Sequence, residues 1–217
     1  DVESYLKIPV LGVIPHMPGG EKARFLRLQR RRPGKKVLRD LLVTHYQPNS
    51  ILAEAYRKLR TNVQFARVGR EENTLLVTSA GPREGKSVTL ANCAISMAQM
   101  GLKTLLIESD LRRPILHTLF GIKREPGLTD ILVENVEWEE ALRTVTDISL
   151  GELGVEDMLK TPGLENLSII TAGHQVPSPT ELLGSAELTK LIEEIRTKFD
   201  ILLFDSPPVL PVTDASI

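Results

Sequence analysis

The chain has 217 residues, enough for one globular domain with an appendage, and its 41% hydrophobic and 25% charged content reads as an ordinary folded protein. A formal net charge of −1 and 4% aromatic residues remove any global electrostatic or stacking case for a nucleic-acid partner. One cysteine, Cys93, excludes an internal disulfide framework, and no apolar run is long enough for a transmembrane helix or signal peptide.

Residues 1–45 read as an arm and a linker. Val10-Leu11-Gly12-Val13-Ile14, between Pro9 and Pro15, is a strand or an extended arm. Residues 21–40 are strongly basic: a solvated linker, or a segment lying on an anionic membrane surface, where each basic residue adds about 1 kcal/mol. Asn49 or Ser50 caps a helix over about 51–67, with Ile51, Ala55, Leu59 and Val63 recurring at i+4. From 46 to 217 we read one nucleotide-type domain. Strands at "TLLVTS", "KTLLIES", "LSIITAG" and "DILLFDSPP" alternate with helices at 86–100, "LTDILVE", "WEEALRTV" and 186–198. Strands apolar on both faces belong to a mainly parallel sheet, so the class is α/β, doubly wound. Residues 145–163 have no clear period and read as a variable loop with a helical piece. The start at Asp1 and the end at "TDASI" read as cut ends.

Three strand ends carry the chemistry. "TSAGPREGKS" follows a strand and opens a helix, the context of a phosphate-binding loop. Gly81, Pro82, Arg83, Glu84, Gly85, Lys86, Ser87 and Val88 would surround the phosphates, with Lys86 reaching the β- and γ-phosphates of ATP and the Ser87 hydroxyl ligating Mg²⁺. Ala80 stands where the usual pattern has its first glycine. In "FDILLFDSPPV", Asp205 follows four apolar residues and would hold the Mg²⁺ shell. In "LLIESDLRRP", Glu108 and Asp110 end the next strand, and their i, i+2 spacing points both toward the same place if the backbone stays extended. There they could ligate metal or accept a proton. His16, His45, His117 and His174 have no metal-like spacing and read as surface or loop residues. Cys93 and Trp138 read as packing residues.

In this order, the three elements resemble the bacterial tyrosine kinases of polysaccharide assembly, with "LLIESDLRRP" as their second Walker motif, A′. "EAYRKLRTN" is similar to that family's Glu-x-x-Arg-x-x-Arg helix, here Glu54, Arg57 and Arg60. "PSPTELLGS", "GLTDIL" and "YLKIPVLGVIP" match further stretches of it. The resemblance implies a P-loop NTPase-like fold and an ATP- and Mg²⁺-dependent autokinase at the cytoplasmic face of the bacterial inner membrane. It implies phosphorylation of a C-terminal tyrosine cluster in trans, in a homo-oligomeric ring joined through Glu54, Arg57 and Arg60. A transmembrane polysaccharide co-polymerase segment, on the same chain or a partner, and a tyrosine phosphatase are the implied associates, in control of exopolysaccharide or capsule export. Lys86, Glu108, Asp110 and Asp205 take the catalytic places, and Ser87, Asp110 and Asp205 the metal places.

Three departures stand out. Arg83 replaces a glycine, which at positive φ costs of order 1 kcal/mol. Glu108 replaces an aspartate, and a carboxylate misplaced by about 1 Å can cost roughly 10²-fold in rate. Tyr5, Tyr46 and Tyr56 form no cluster. Alternatives are an ATPase switch of the cell-division or plasmid-partition kind, and a nucleotide-binding scaffold of weak activity.

Overall fold

A computed structural model describes residues 2–15, 41–69, 72–134, 136–148 and 162–210. The basic stretch 21–40 and most of the expected variable loop lie outside them. The elements run α1 (Val2–Leu6), α2 (Val43–Tyr46), α3 (Ile51–Ala66), β1 (Thr74–Val77), α4 (Lys86–Ala98), β2 (Thr104–Glu108) and α5 (Leu116–Phe120). They continue as α6 (Leu128–Glu134), α7 (Trp138–Ala141), β3 (Leu142–Arg143), α8 (Val145–Ile148) and a 3₁₀ turn (Leu164–Asn166). β4 (Leu167–Ile170), α9 (Pro179–Leu183), α10 (Ala186–Ile195) and β5 (Ile201–Asp205) complete the described chain.

The strands form one sheet in the order β1-β5-β2-β4-β3. All pairs are parallel except β3 with β4. The expected helix "WEEALRTV" therefore stops at Ala141, and Leu142 and Arg143 turn into a short antiparallel edge strand. Period-2 alternation sends the central strands' side chains to both sides. Leu106, Ile201 and Leu203 join the core under α2, α3 and α4, whereas Leu105, Ile107, Leu202 and Phe204 join the core under α6, α7 and α10. Two covered faces explain why these strands read as continuous apolar runs. Trp138 packs edge-on to Phe199 and donates to Glu194.

Ser50 caps α3, its Oγ accepting the Ala53 N–H at 3.1 Å. The apolar face differs from the i+4 series read in the sequence. Ala53, Tyr56 and Val63 are buried, with Leu52 and Leu59 packed beside them, while Ile51 is 82% exposed. The helix is rotated because it must cover α4. Residues 8–15 are an extended arm with no strand pairing; Asn62 Nδ2 donates to Leu11 O at 2.7 Å, and Leu11 and Ile14 pack against the core.

Packing reaches back to Leu41, since Leu41, Leu42 and Val43 are all buried. Asn92, fully buried in α4, holds that segment. Its Oδ1 accepts the Thr44 N–H at 2.9 Å, and its Nδ2 donates to Leu41 O at 2.8 Å and Val88 O at 2.9 Å. Replacing it would leave buried backbone groups without partners, each costing about 1–3 kcal/mol. Asn92→Ala should therefore destabilise the fold by roughly 2 kcal/mol or more, read as a lower midpoint of urea unfolding.

Candidate nucleotide-binding and phosphoryl-transfer site

The site is assembled where three parallel strands end. β1 runs into the loop 78–85, which leads into α4. Two turns of backbone make that loop possible: Gly85 sits at φ +86° and Arg83 at φ +65°. Glycine bears the first without steric cost; arginine does not. The loop is pinned by Ser79 Oγ donating to Gly81 O at 2.8 Å and Thr78 Oγ1 donating to Pro207 O at 2.7 Å. β2 and β5 pair in register up to Glu108 beside Asp205. The Ser109 hydroxyl and amide both donate to Asp205 O, locking the two strand ends together.

Lys86 joins these ends. Its Nζ lies 2.9 Å from Asp110 Oδ2, 3.2 Å from Asp205 Oδ1 and 3.3 Å from Ser87 Oγ. Burial works against its charge, but Asp205 and then Asp110 outweigh it, so the ammonium is held above its ordinary pKa. Burial raises the Asp205 carboxyl, with Lys86 and the Ser87 hydroxyl offsetting part of that. Asp205 is wholly inaccessible, and among the described residues its Oδ2 is a buried oxygen with no hydrogen-bond partner.

Beside these residues lies a cavity of about 260 Å³, lined by Pro82–Ser87, by Asp110 and Arg112–Ile115, and by Pro208. Six positions expected at the phosphates, Pro82, Arg83, Glu84, Gly85, Lys86 and Ser87, are thus brought together with Asp110. Asp205 stands beneath, reaching the group through Lys86. Gly81 is outside the lining, and the Val88 side chain belongs to the hydrophobic core instead. Residues 112–115 and Pro208 escaped sequence reasoning as cavity residues. The "DLRRP" run was the available signal. Arg112 Nη2 donates to Thr180 Oγ1 at 2.9 Å.

Glu108 departs from expectation. It does not converge with Asp110, because the chain bends after β2 and the longer side chain turns under the loop. Its carboxylate accepts the amides of Ile115, Leu116 and Ala172. Burial pushes it up to about 7; the Leu116 amide opposes and Asp205 adds to the rise.

The proposed contact residues also separate. Glu54 and Arg57 form a 2.8 Å surface ion pair, and Arg57 donates to Pro48 O. Such a pair is worth only a few tenths of a kcal/mol. Arg60 turns inward, donating to Ser96 O at 3.0 Å and Ser96 Oγ at 3.1 Å. Tyr56 is 1% exposed, so it is neither on an open face nor available as a phosphate acceptor. His45 is buried rather than in a surface loop, and His174 pairs with Asp130 and Glu125. Cys93 is buried, and its thiol is pushed up to about 12 by desolvation. Among the described residues no group of three or more His, Cys, Asp or Glu could hold a metal alone.

The AAA domain family matches residues 83–216. Tyrosine-protein kinase YwqD of Bacillus subtilis is 36% identical over 188 residues, covering 87% of this chain and 72% of that protein. Putative tyrosine-protein kinase CapB of Staphylococcus aureus is 32% identical over 84% of this chain and 73% of its own length. The kinase domain of Escherichia coli tyrosine kinase ETK superposes with a TM-score of 0.78 at 30% identity, covering all of this chain and 76% of that one.

Arg83 sits exposed at the cavity rim in a left-handed conformation. Arg83→Gly should raise the nucleotide-free protein's stability by about 0.5–1 kcal/mol, because the backbone strain disappears. The same change should weaken nucleotide affinity by removing a cation from the cavity wall. Thermal melts and titration with a fluorescent nucleotide read the two effects separately.

Proposed function

Because this chain belongs to the bacterial tyrosine-protein kinase family, we propose that it transfers the γ-phosphoryl group of ATP to tyrosine hydroxyls, tyrosines of its own polypeptide included. The observation that carries this reading is the meeting of Lys86, Ser87, Asp110 and Asp205 at the carboxyl ends of parallel strands, the first three lining one cavity and Asp205 beneath it. The loop amides and Lys86 would hold the phosphates, which compete with Asp110 and Asp205 for the ammonium. Asp110, on the cavity wall, would accept the phenolic proton as the tyrosine oxygen bonds to phosphorus and the bond to the β-phosphate's bridging oxygen breaks. A phenol with a pKa of about 10 needs such a base at neutral pH.

The buried Asp205 Oδ2, unpartnered among the described residues, and the Ser87 hydroxyl fit Mg²⁺. Bound there, the ion would neutralise charge on the transferring phosphoryl group. These residues' task is to hold that charge in a site shielded from water, where electrostatic stabilisation is strongest.

The relatives' names support a wider context, among them a putative tyrosine-protein kinase in a Klebsiella pneumoniae cps region. We place the domain in control of exopolysaccharide or capsule assembly, at the cytoplasmic face of the membrane, acting within a homo-oligomer. Among the described residues no helix is long and apolar enough to cross a membrane. A transmembrane co-polymerase segment and a phosphatase complete the proposed system. The Glu54–Arg57 pair is the exposed part of the family's contact helix and is where a neighbouring subunit would meet it. Glu108's withdrawal from the cavity favours one second reading, a nucleotide-binding scaffold with slow turnover.

Lys86→Met should lower ATP-dependent phosphotyrosine formation by at least about 10²-fold, the scale of losing one preorganised charge partner. Immunodetection of phosphotyrosine on the intact protein checks this, with circular dichroism confirming the fold. Undiminished labelling would overturn the assignment. Nucleotide binding by the parent without any phosphotyrosine would select the scaffold.

A further inference from the structure

Glu108 and Asp110 leave the same strand end and serve opposite sides of it. Asp110 reaches Lys86 and the cavity. Glu108, fully buried, reaches the other way. Its Oε1 accepts the amides of Ile115 and of Leu116, the latter at 2.6 Å, and its Oε2 accepts the Ala172 amide at 3.1 Å. One side chain therefore ties the end of β2 to the start of α5 and to the end of β4. Between Glu108 and the amides it grips lies the loop that supplies Asp110, Arg112, Arg113, Pro114 and Ile115 to the cavity wall. The loop has other ties: the Lys86–Asp110 ion pair, the Ser109 hydroxyl and amide on Asp205 O just before it, and the buried Leu111 in the core. Asp110 accepts the Arg113 amide, and Arg112 donates to Thr180 at the exposed rim.

We propose that Glu108 is a positioning residue for phosphoryl transfer: it clamps the Asp110–Ile115 loop onto the sheet, so that Asp110 meets Lys86 and the loop closes one wall of the cavity, and it touches neither nucleotide nor metal. This rests on the kinase reading of the cavity given above. Length is what the clamp requires. The first-turn amides of a helix have no intrahelical acceptor, and a carboxylate beneath them satisfies two at once. A third donor arrives from β4. An aspartate would stop about 1.5 Å short, the length of one carbon–carbon bond, and could not span α5 and β4 together. The substitution that looked like a weakened catalytic carboxylate is thus a change of task.

The test separates reach from charge. Glu108→Gln keeps the length and a carbonyl oxygen for Ile115 and Leu116, and gives up only the Ala172 amide, which its NH2 cannot accept. Glu108→Asp keeps the charge and loses the reach. In the intact protein, Gln should hold nucleotide affinity within about threefold and kcat within about tenfold of the parent. Asp should weaken nucleotide affinity by about tenfold or more, the effect of losing hydrogen bonds to a charged group, with KM for ATP rising and kcat falling below that of Gln. The opposite order overturns the proposal: Asp equal to the parent, and Gln losing about 100-fold in kcat with affinity unchanged. If melts show that the Asp variant does not fold, Gln alone decides by the same limits. A parent with no tyrosine phosphorylation would sink the kinase reading instead, and the order of the two nucleotide affinities would still test the clamp.

Discussion

The site depends on a partly buried ammonium held between two buried carboxylates. Lys86, Asp110 and Asp205 come from three different strand ends, and none could be withdrawn from water alone. The fold therefore has to deliver all three together. Parallel β1, β5 and β2 do so because their carboxyl ends lie on one edge, in register. The charge balance is deliberately incomplete. Two carboxylates face one lysine, and Asp205 Oδ2 is left without a partner among the described residues. Such a centre favours an added cation and, with it, phosphate oxygens drawn to Lys86.

The rest of the structure supports that triad from both faces. α4 starts at Lys86 itself, so its position fixes the lysine. Its buried side is fastened to α3 through Arg60 and Ser96, and to the 41–44 segment through Asn92. Arg60 illustrates how a residue with a family association at a surface can also have an internal task. The cost of taking a guanidinium partly out of water is visible in its lowered pKa, set first by burial and then by Arg57. It remains charged, and its bonds to Ser96 hold α3 against α4.

What the sequence made legible follows from how local each signal is. The loop glycine, the lysine and the apolar runs are short-range patterns, and the strands, α4 and the Lys86–Asp110–Asp205 meeting could be read from them. The rotation of α3 could not. Ile51, Ala55, Leu59 and Val63 fit a helical period as well as the true face does, and only packing against α4 chooses Tyr56 over Ile51. β3 was hidden because two residues carry no periodicity, and the edge of β4 decides their conformation. Arg112–Ile115 became cavity residues through a bend after β2 that no spacing rule describes. The i, i+2 argument for Glu108 and Asp110 failed there, since it needs an extended backbone beyond Glu108, where β2 ends.

The two substitutions in the phosphate-binding architecture differ in their energetics, and this bears on what the cavity does. Arg83 holds a conformation that costs an L-residue roughly 1–2 kcal/mol. Local strain of that kind persists at functional sites when the surroundings over-determine it. Its place on the cavity wall, with Arg112 and Arg113 also in the lining, gives a reason: positive charge spread around a space whose floor is acidic. Glu108 carries no such backbone strain. Its burial is expensive, but three amides that would otherwise need acceptors offset that cost. One substitution thus spends stability to add charge to the cavity, and the other removes charge from it to stiffen its wall. Together they leave Asp110 as the cavity's own carboxylate, presented by a clamped loop to a lysine that α4 holds in place.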